Sequence, residues 1–107
     1  MSDAAPRVVL VTAPDADCAR RLAEALVGER LAACANLLPG VTSIYRWEGA
    51  VEEATEVLLI LKTRAGLVPE IEARLVDLHP YDVPECVAIA PDRVGAPYLA
   101  WLQGMTE

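Results

Sequence analysis

Thirty-three residues, LAACANLLPGVTSIYRWEGAVEEATEVLLILKT (31–63), constrain the fold more than any other part of this chain. They read as two strands and a turn. Val41, Ser43, Tyr45 and Trp47 alternate with Thr42, Ile44 and Arg46, the period-2 pattern of a strand with two unlike faces. The turn falls in WEGA, around Gly49. Pro39-Gly40 interrupts the first strand, as a bulge or bend would. EVLLILKT (56–63) is apolar on both faces, which predicts a central strand. The hairpin 41–62 is long for a domain of 107 residues, and it is expected to reach beyond the body. A long exposed hairpin is an aggregation hazard unless another chain pairs with it. Strand pairing between protomers is the natural solution.

The flanking segments supply the body. RVVLVTA (7–13) reads as a buried strand. Asp15 follows as an N-cap, and Ala19, Leu22, Ala23, Leu26 and Val27 fall on one face of a helix. That helix is expected to stop near Gly28 to Arg30. GLVPEIEARLVDLH (66–79) places Val68, Ile71, Leu75 and Leu78 on the stripe of a second helix, with Pro69 in its first turn or at a kink. ECVAIAP (85–91) predicts a short last strand. APYLAWLQGM (96–105) predicts a terminal helix carrying Tyr98, Trp101 and Leu102 on one stripe. The order β-α-β-β-α-β-α is that of an α+β, ferredoxin-like βαββαβ sheet with two helices on one face, a long β-hairpin and a C-terminal helix. One domain, 1–107, accommodates it.

Composition narrows the function. Apolar residues make up 54% of the chain, above the usual share for a soluble domain. In so small a body, part of that surplus points to an oligomer, even after alanine is discounted. A net charge of -7 argues against a nucleic-acid binder, which needs clustered Lys and Arg, and against adsorption to anionic lipid. The stretch MSDAAPRVVLVTAPD does not follow a signal-peptide pattern, and no apolar run approaches a membrane span, so a cytoplasmic chain without membrane insertion is expected. Cys18, Cys34 and Cys86 are odd in number and lack a CxxC, which fits reduced thiols.

The densest chemistry lies in HPYDVPE (79–85), which holds the only histidine. His79 precedes proline, so the second helix should end there; a charged His would also suit the helix C-terminus. Two other readings stay open, a pocket-lining side chain and a metal ligand. Pro80 and Pro84 make a rigid corner that aims Tyr81 and Glu85. Lys62, the sole lysine, ends an apolar strand, where it either forms an ion pair or contacts a ligand. Cys34 and Cys86 read as small buried hydrophobes. Cys18 sits near a helix N-terminus, where the dipole could lower its pKa. Trp47, beside the hairpin tip, calls for cover by a neighbouring protomer. Tyr98 and Trp101, at i and i+3, read as packing.

LAACANLLPGVTSIYRWEG, LILKT, HPYDVPE and YLAWL, in this order and spacing, resemble the corresponding segments of the CutA family, the divalent-cation tolerance proteins. The resemblance runs from about residue 8 to 102. It implies a ferredoxin-like homotrimer similar in architecture to PII signalling proteins, and an association with tolerance to copper and other divalent cations. Positions carried over are Cys34, Asn36, Pro39, Ser43, Tyr45, Trp47, Gly49, Lys62, Thr63, His79, Pro80, Tyr81, Pro84, Glu85, Tyr98 and Trp101. One departure is Val11, where some members carry a cysteine; a metal role built on that thiol does not carry over.

The resulting expectation is a trimeric binding and regulatory protein of divalent-metal tolerance, not an enzyme. Candidates for an inter-subunit cleft are Trp47, Lys62, His79, Tyr81, Glu85, Tyr98 and Trp101. Cys34 and His79 are the candidate ligands for copper or another divalent cation. With no cysteine at Val11 and one His, a single protomer is not expected to supply a complete four-ligand zinc site. Lys62 and Glu85 are expected to share a site only across a subunit boundary, since strand direction places them at opposite rims of one sheet. The alternative is a small-molecule enzyme or a PII-like ligand sensor using the same cleft without a metal role. Against it stand the lack of paired nucleophile and base, of HExxH and of a Gly-rich phosphate loop.

Overall fold

The computed structural model describes residues 3–107, so the first two positions of the 1–107 domain lie outside the described residues. The elements run β1 (Pro6–Ala13), α1 (Ala16–Gly28), β2 (Cys34–Trp47), β3 (Ala50–Arg64), a single 3₁₀ turn (Ala65–Leu67), α2 (Val68–Leu78), β4 (Val87–Ile89) and α3 (Ala96–Met105). The strands form one antiparallel sheet in the order β2-β3-β1-β4. That is the α+β, ferredoxin-like arrangement the element order predicts, with β3 and β1 central.

Local chemistry sets the boundaries. The Asp15 carboxylate accepts the Cys18 N–H at 2.8 Å and starts α1. Pro69 lies in the first turn of α2, where its missing N–H costs nothing. His79 is extended before Pro80 and ends α2. The last strand is shorter than the predicted 85–91. Pro84 and Pro91 bracket it and cannot donate to a ladder, so only Val87–Ile89 pairs with β1.

The core lies between the sheet and the two long helices. Val9, Val11, Leu59 and Leu61 are fully buried against Leu22, Leu26, Ile71 and Leu75. Val27 and Leu78, read as part of the helix stripes, fall at helix ends and stay more than a third exposed. On α3 only Leu102 is buried. Tyr98 and Trp101 stack on each other with ring centroids 5.4 Å apart, and both stay exposed. Arg74 forks onto the Glu29 carboxylate at 2.8 and 3.0 Å, tying α2 to the end of α1. Arg64 donates twice to the Thr106 carbonyl, at 3.1 and 2.9 Å, which docks the end of α3.

β2 and β3 continue past this body as a two-stranded arm, and the molecule measures 43 Å along its longest axis against 26 and 23 Å across. The arm turns at Glu48-Gly49, both with positive φ, as the tight hairpin between Trp47 and Ala50 demands. Its root is the bulge. Register shifts between Leu38 and Val41, with Gly40 at φ +76°. Before the shift Ala35 and Leu37 face Leu61 and Leu59; after it Val41, Ser43 and Tyr45 face Glu56, Ala54 and Glu52. One extra residue has flipped the alternation. Tyr45 and Trp47 therefore leave the helix-covered face of the sheet.

Candidate functional site

The corner after α2 folds back over the root of the arm, and His79 fixes it there. Its ring is buried, at 6% exposure. Nε2 lies 2.7 Å from the Thr12 carbonyl oxygen, which can only accept, so Nε2–H donates. Nδ1 then accepts the Tyr81 N–H at 3.1 Å. The ring also packs on Tyr81, centroid to centroid at 4.6 Å. Of the open readings, this is a buried helix-end residue that clamps a loop. In this arrangement neither nitrogen has a lone pair left for a metal.

The clamp aims Tyr81 at β3. Its hydroxyl donates to Glu56 Oε2 at 2.7 Å. Burial, and secondarily the Glu56 carboxylate, hold the phenol well above its ordinary pKa. Glu56 is only 8% exposed. Among the described residues the ion pairs are Arg74–Glu29 and Arg74–Asp77, so this buried acid has no cation within 4 Å. Between arm and corner lies a cavity of about 670 Å³. Tyr45, Trp47 and Glu52 reach it from the arm, Glu56 from the floor, and Tyr81 and Glu85 from the corner. The Glu85 carboxyl is pushed above the usual range, first by burial and then by the charge on Glu56.

Sequence reasoning named Trp47, Tyr81 and Glu85 and missed Glu56 and Glu52. Glu56 had a signal: it is an acid opening a fully apolar strand, next to residues that must be buried. Its partner had none, because Tyr81 arrives from 25 residues away.

The other candidates gather elsewhere. Lys62 lies opposite Cys34 in the sheet and donates to Asn36 Oδ1; Cys34 Sγ is 3.9 Å from the same oxygen. Tyr98 is nearby, its hydroxyl held up by burial and then by the Cys34 thiol. Trp101 borders a shallow hollow with Ala33, Cys34 and Ala35. Lys62 is six residues along β3 from Glu56, about 20 Å at strand rise. Within one chain it does not meet Glu85, as the strand directions require.

The metal candidates are likewise apart. His79 is bonded at Thr12, which pairs with Leu58, whereas Cys34 pairs with Lys62. That separation is four residues, about 13 Å. No group of three His, Cys, Asp or Glu side chains among the described residues converges as a metal site. The described donors of one chain therefore do not fit a bound ion. Cys18 departs from expectation too. It is buried, and desolvation outweighs nearby Arg21, so its pKa is raised. No helix of the described residues is long and apolar enough to cross a membrane.

Comparison with known proteins gives a consistent result. The family model described as CutA1 divalent ion tolerance protein matches residues 7–105. A Thermus thermophilus protein named Divalent-cation tolerance protein CutA is 50% identical over 99 residues, covering 92% of this chain and 96% of that protein. An Arabidopsis thaliana protein named Protein CutA, chloroplastic, is 42% identical over 100 residues, covering 94% of this chain and 55% of that protein. The chain thus spans about half the length of several curated relatives. A solved structure titled as the divalent cation tolerance protein Cut A1 of Thermus thermophilus superimposes with a TM-score of 0.93 at 49% identity. It covers 95% of this chain and 99% of that one.

Proposed function

The chain belongs to the CutA1 divalent ion tolerance family, and on that premise we propose that it works as a homotrimeric, PII-like binding and regulatory protein in tolerance to divalent metal ions, with copper the first to test. The observation that carries this reading is the arm. Ile44 and Val51 at its tip are 68% and 66% exposed and Trp47 is 47% exposed, an apolar load that a lone hairpin does not sustain in water. Pairing of arms between copies would cover these residues and bury well over about 2,000 Å² per interface, the size of an obligate contact.

Assembly also bears on the metal. The described ligands of one chain do not converge, so a copper site would draw on more than one copy, with Cys34 or carboxylates as donors and His79 only after its clamp opens. Binding is then weak and poor in thiolate. Among the described residues no side chains are arranged as nucleophile and base, and the family is named for tolerance rather than for a reaction, which supports a non-catalytic role. Three free cysteines suit the reducing cytoplasm.

The test is calorimetric titration of copper(II) chloride into the intact protein and its Cys34→Ser variant, with sedimentation run in parallel. Weak copper uptake that scales with trimer and falls in the variant supports the reading. Zinc held stoichiometrically through dialysis against a chelator contradicts it.

A further inference from the structure

The sheet narrows at one place. β1 pairs with β3 from Pro6 opposite Arg64 to Ala13 opposite Val57 and stops there, so Glu56 is the first residue toward the arm with no β1 neighbour. The bulge in β2 falls at the same level, between the pairs Leu38–Leu58 and Val41–Glu56. Beyond this joint the arm is two strands and a turn, held together by its own ladder. A two-stranded ribbon is marginally stable at best and twists more than a wide sheet. Its direction relative to the body therefore calls for a second attachment.

Such an attachment is present at the joint itself. Thr12, one residue before the end of β1, accepts from His79 Nε2–H at 2.7 Å. His79 Nδ1 accepts the Tyr81 N–H at 3.1 Å, and the Tyr81 hydroxyl donates to Glu56 Oε2 at 2.7 Å. Three hydrogen bonds in series thus run from the end of β1 to the first residue of β3 beyond it. His79 is buried and its ring packs on Tyr81, which stiffens the series at its origin. The last bond ends on a carboxylate, the stronger kind. Among residues 41–47 and 50–56, Glu56 is the only buried one. All these groups belong to one chain, so the link does not depend on what covers the arm.

We propose that the corner 79–85 is a strap that holds the arm in one direction at its joint, with Tyr81 the positioning residue that stands in for the missing β1 neighbour. A ribbon already held in direction loses less freedom when another copy pairs with it. That use in assembly rests on the trimer proposed above; the strap itself does not.

Hydrogen exchange read by mass spectrometry tests the strap on the full chain, in the wild-type background and in Ile44→Asp, where a charged arm tip disfavours contact with other copies. Tyr81→Phe keeps the ring and the N–H and removes only the hydroxyl. Amides of 41–47 and 50–55 should then exchange about three- to tenfold faster, the factor that one net hydrogen bond supplies. Amides of 8–12 and 57–63 should hold their rates. Glu56→Leu should match Tyr81→Phe, and Glu56→Gln, which keeps an acceptor for the hydroxyl, should retain most of the protection. Joining Tyr81→Phe to Glu56→Leu should add nothing further.

Unchanged arm exchange in both backgrounds overturns the proposal. So does an acceleration shared equally by body and arm, or a double variant whose effects simply add. A wild-type protein that sediments as a single chain, with an arm that still quickens in Tyr81→Phe, would remove the trimer and support the strap.

Discussion

The two halves of β3 belong to one strand and live in different surroundings. From Val57 to Thr63, alternate side chains are buried under α1 and α2, with Leu59 at 0% exposure. From Ala50 to Thr55 the same strand runs along the arm among Glu52, Glu53 and the open side chain of Val51. The first half is complete within the chain. The second carries apolar residues with no cover of their own. Stability therefore resides in the body, while the arm carries the surface that the proposed assembly would cover.

The largest effect should come from breaking the body. Leu59→Ala leaves a cavity among Val11, Leu22 and their neighbours and should cost about 2–5 kcal/mol of unfolding free energy. Ile44→Ala makes a similar truncation in the arm and should change the unfolding of an unassembled chain by no more than about 0.5 kcal/mol, while weakening association. Urea titrations of both variants across a range of protein concentrations check the contrast, and equal losses in both would erase it.

Next in size is the clamp that joins the regions. His79→Ala strands the Thr12 carbonyl and the Tyr81 N–H, at about 1–3 kcal/mol. Hydrogen exchange at the Tyr81 amide should quicken with it. Within the body, Thr63→Val removes the hydroxyl that donates to the Leu31 carbonyl at 2.6 Å and should cost about 1 kcal/mol in thermal or urea unfolding.

The smallest effect depends on pH. The folded-state pKa of Glu85 is raised, so the stability linked to its protonated form is present at low pH and lost as pH rises through the folded value. Ionised Glu85 is thus a mild liability near neutrality. Glu85→Gln should raise the melting temperature slightly at pH 7 and leave it unchanged near pH 3. A fall at pH 7 would mean that the carboxylate already has a cation.

The body was legible in the sequence because its signals are local. The Asp15 cap, the helix stripes, the proline at the start of α2 and the helix end at His79 each follow from a few neighbouring residues. The position of the bulge was legible from Pro39-Gly40, but its consequence was not, since a one-residue flip shows only once the pairing partner is known. The site was legible in part. Trp47, Tyr81 and Glu85 stood out by residue type, and strand direction separated Lys62 from Glu85. Glu56 escaped because its role depends on a corner that returns from the far end of α2. Tyr98 and Trp101 fell to helical spacing, which shows who shares a stripe but not whether anything covers it.

The central claim is that the arm is completed by other copies of the chain. Sedimentation equilibrium at micromolar concentration tests it most directly. The expected mass is three times the 11.5 kDa of one chain, falling toward a single chain when Ile44→Asp charges the tip of the arm. A wild-type protein that sediments as a monomer would contradict it.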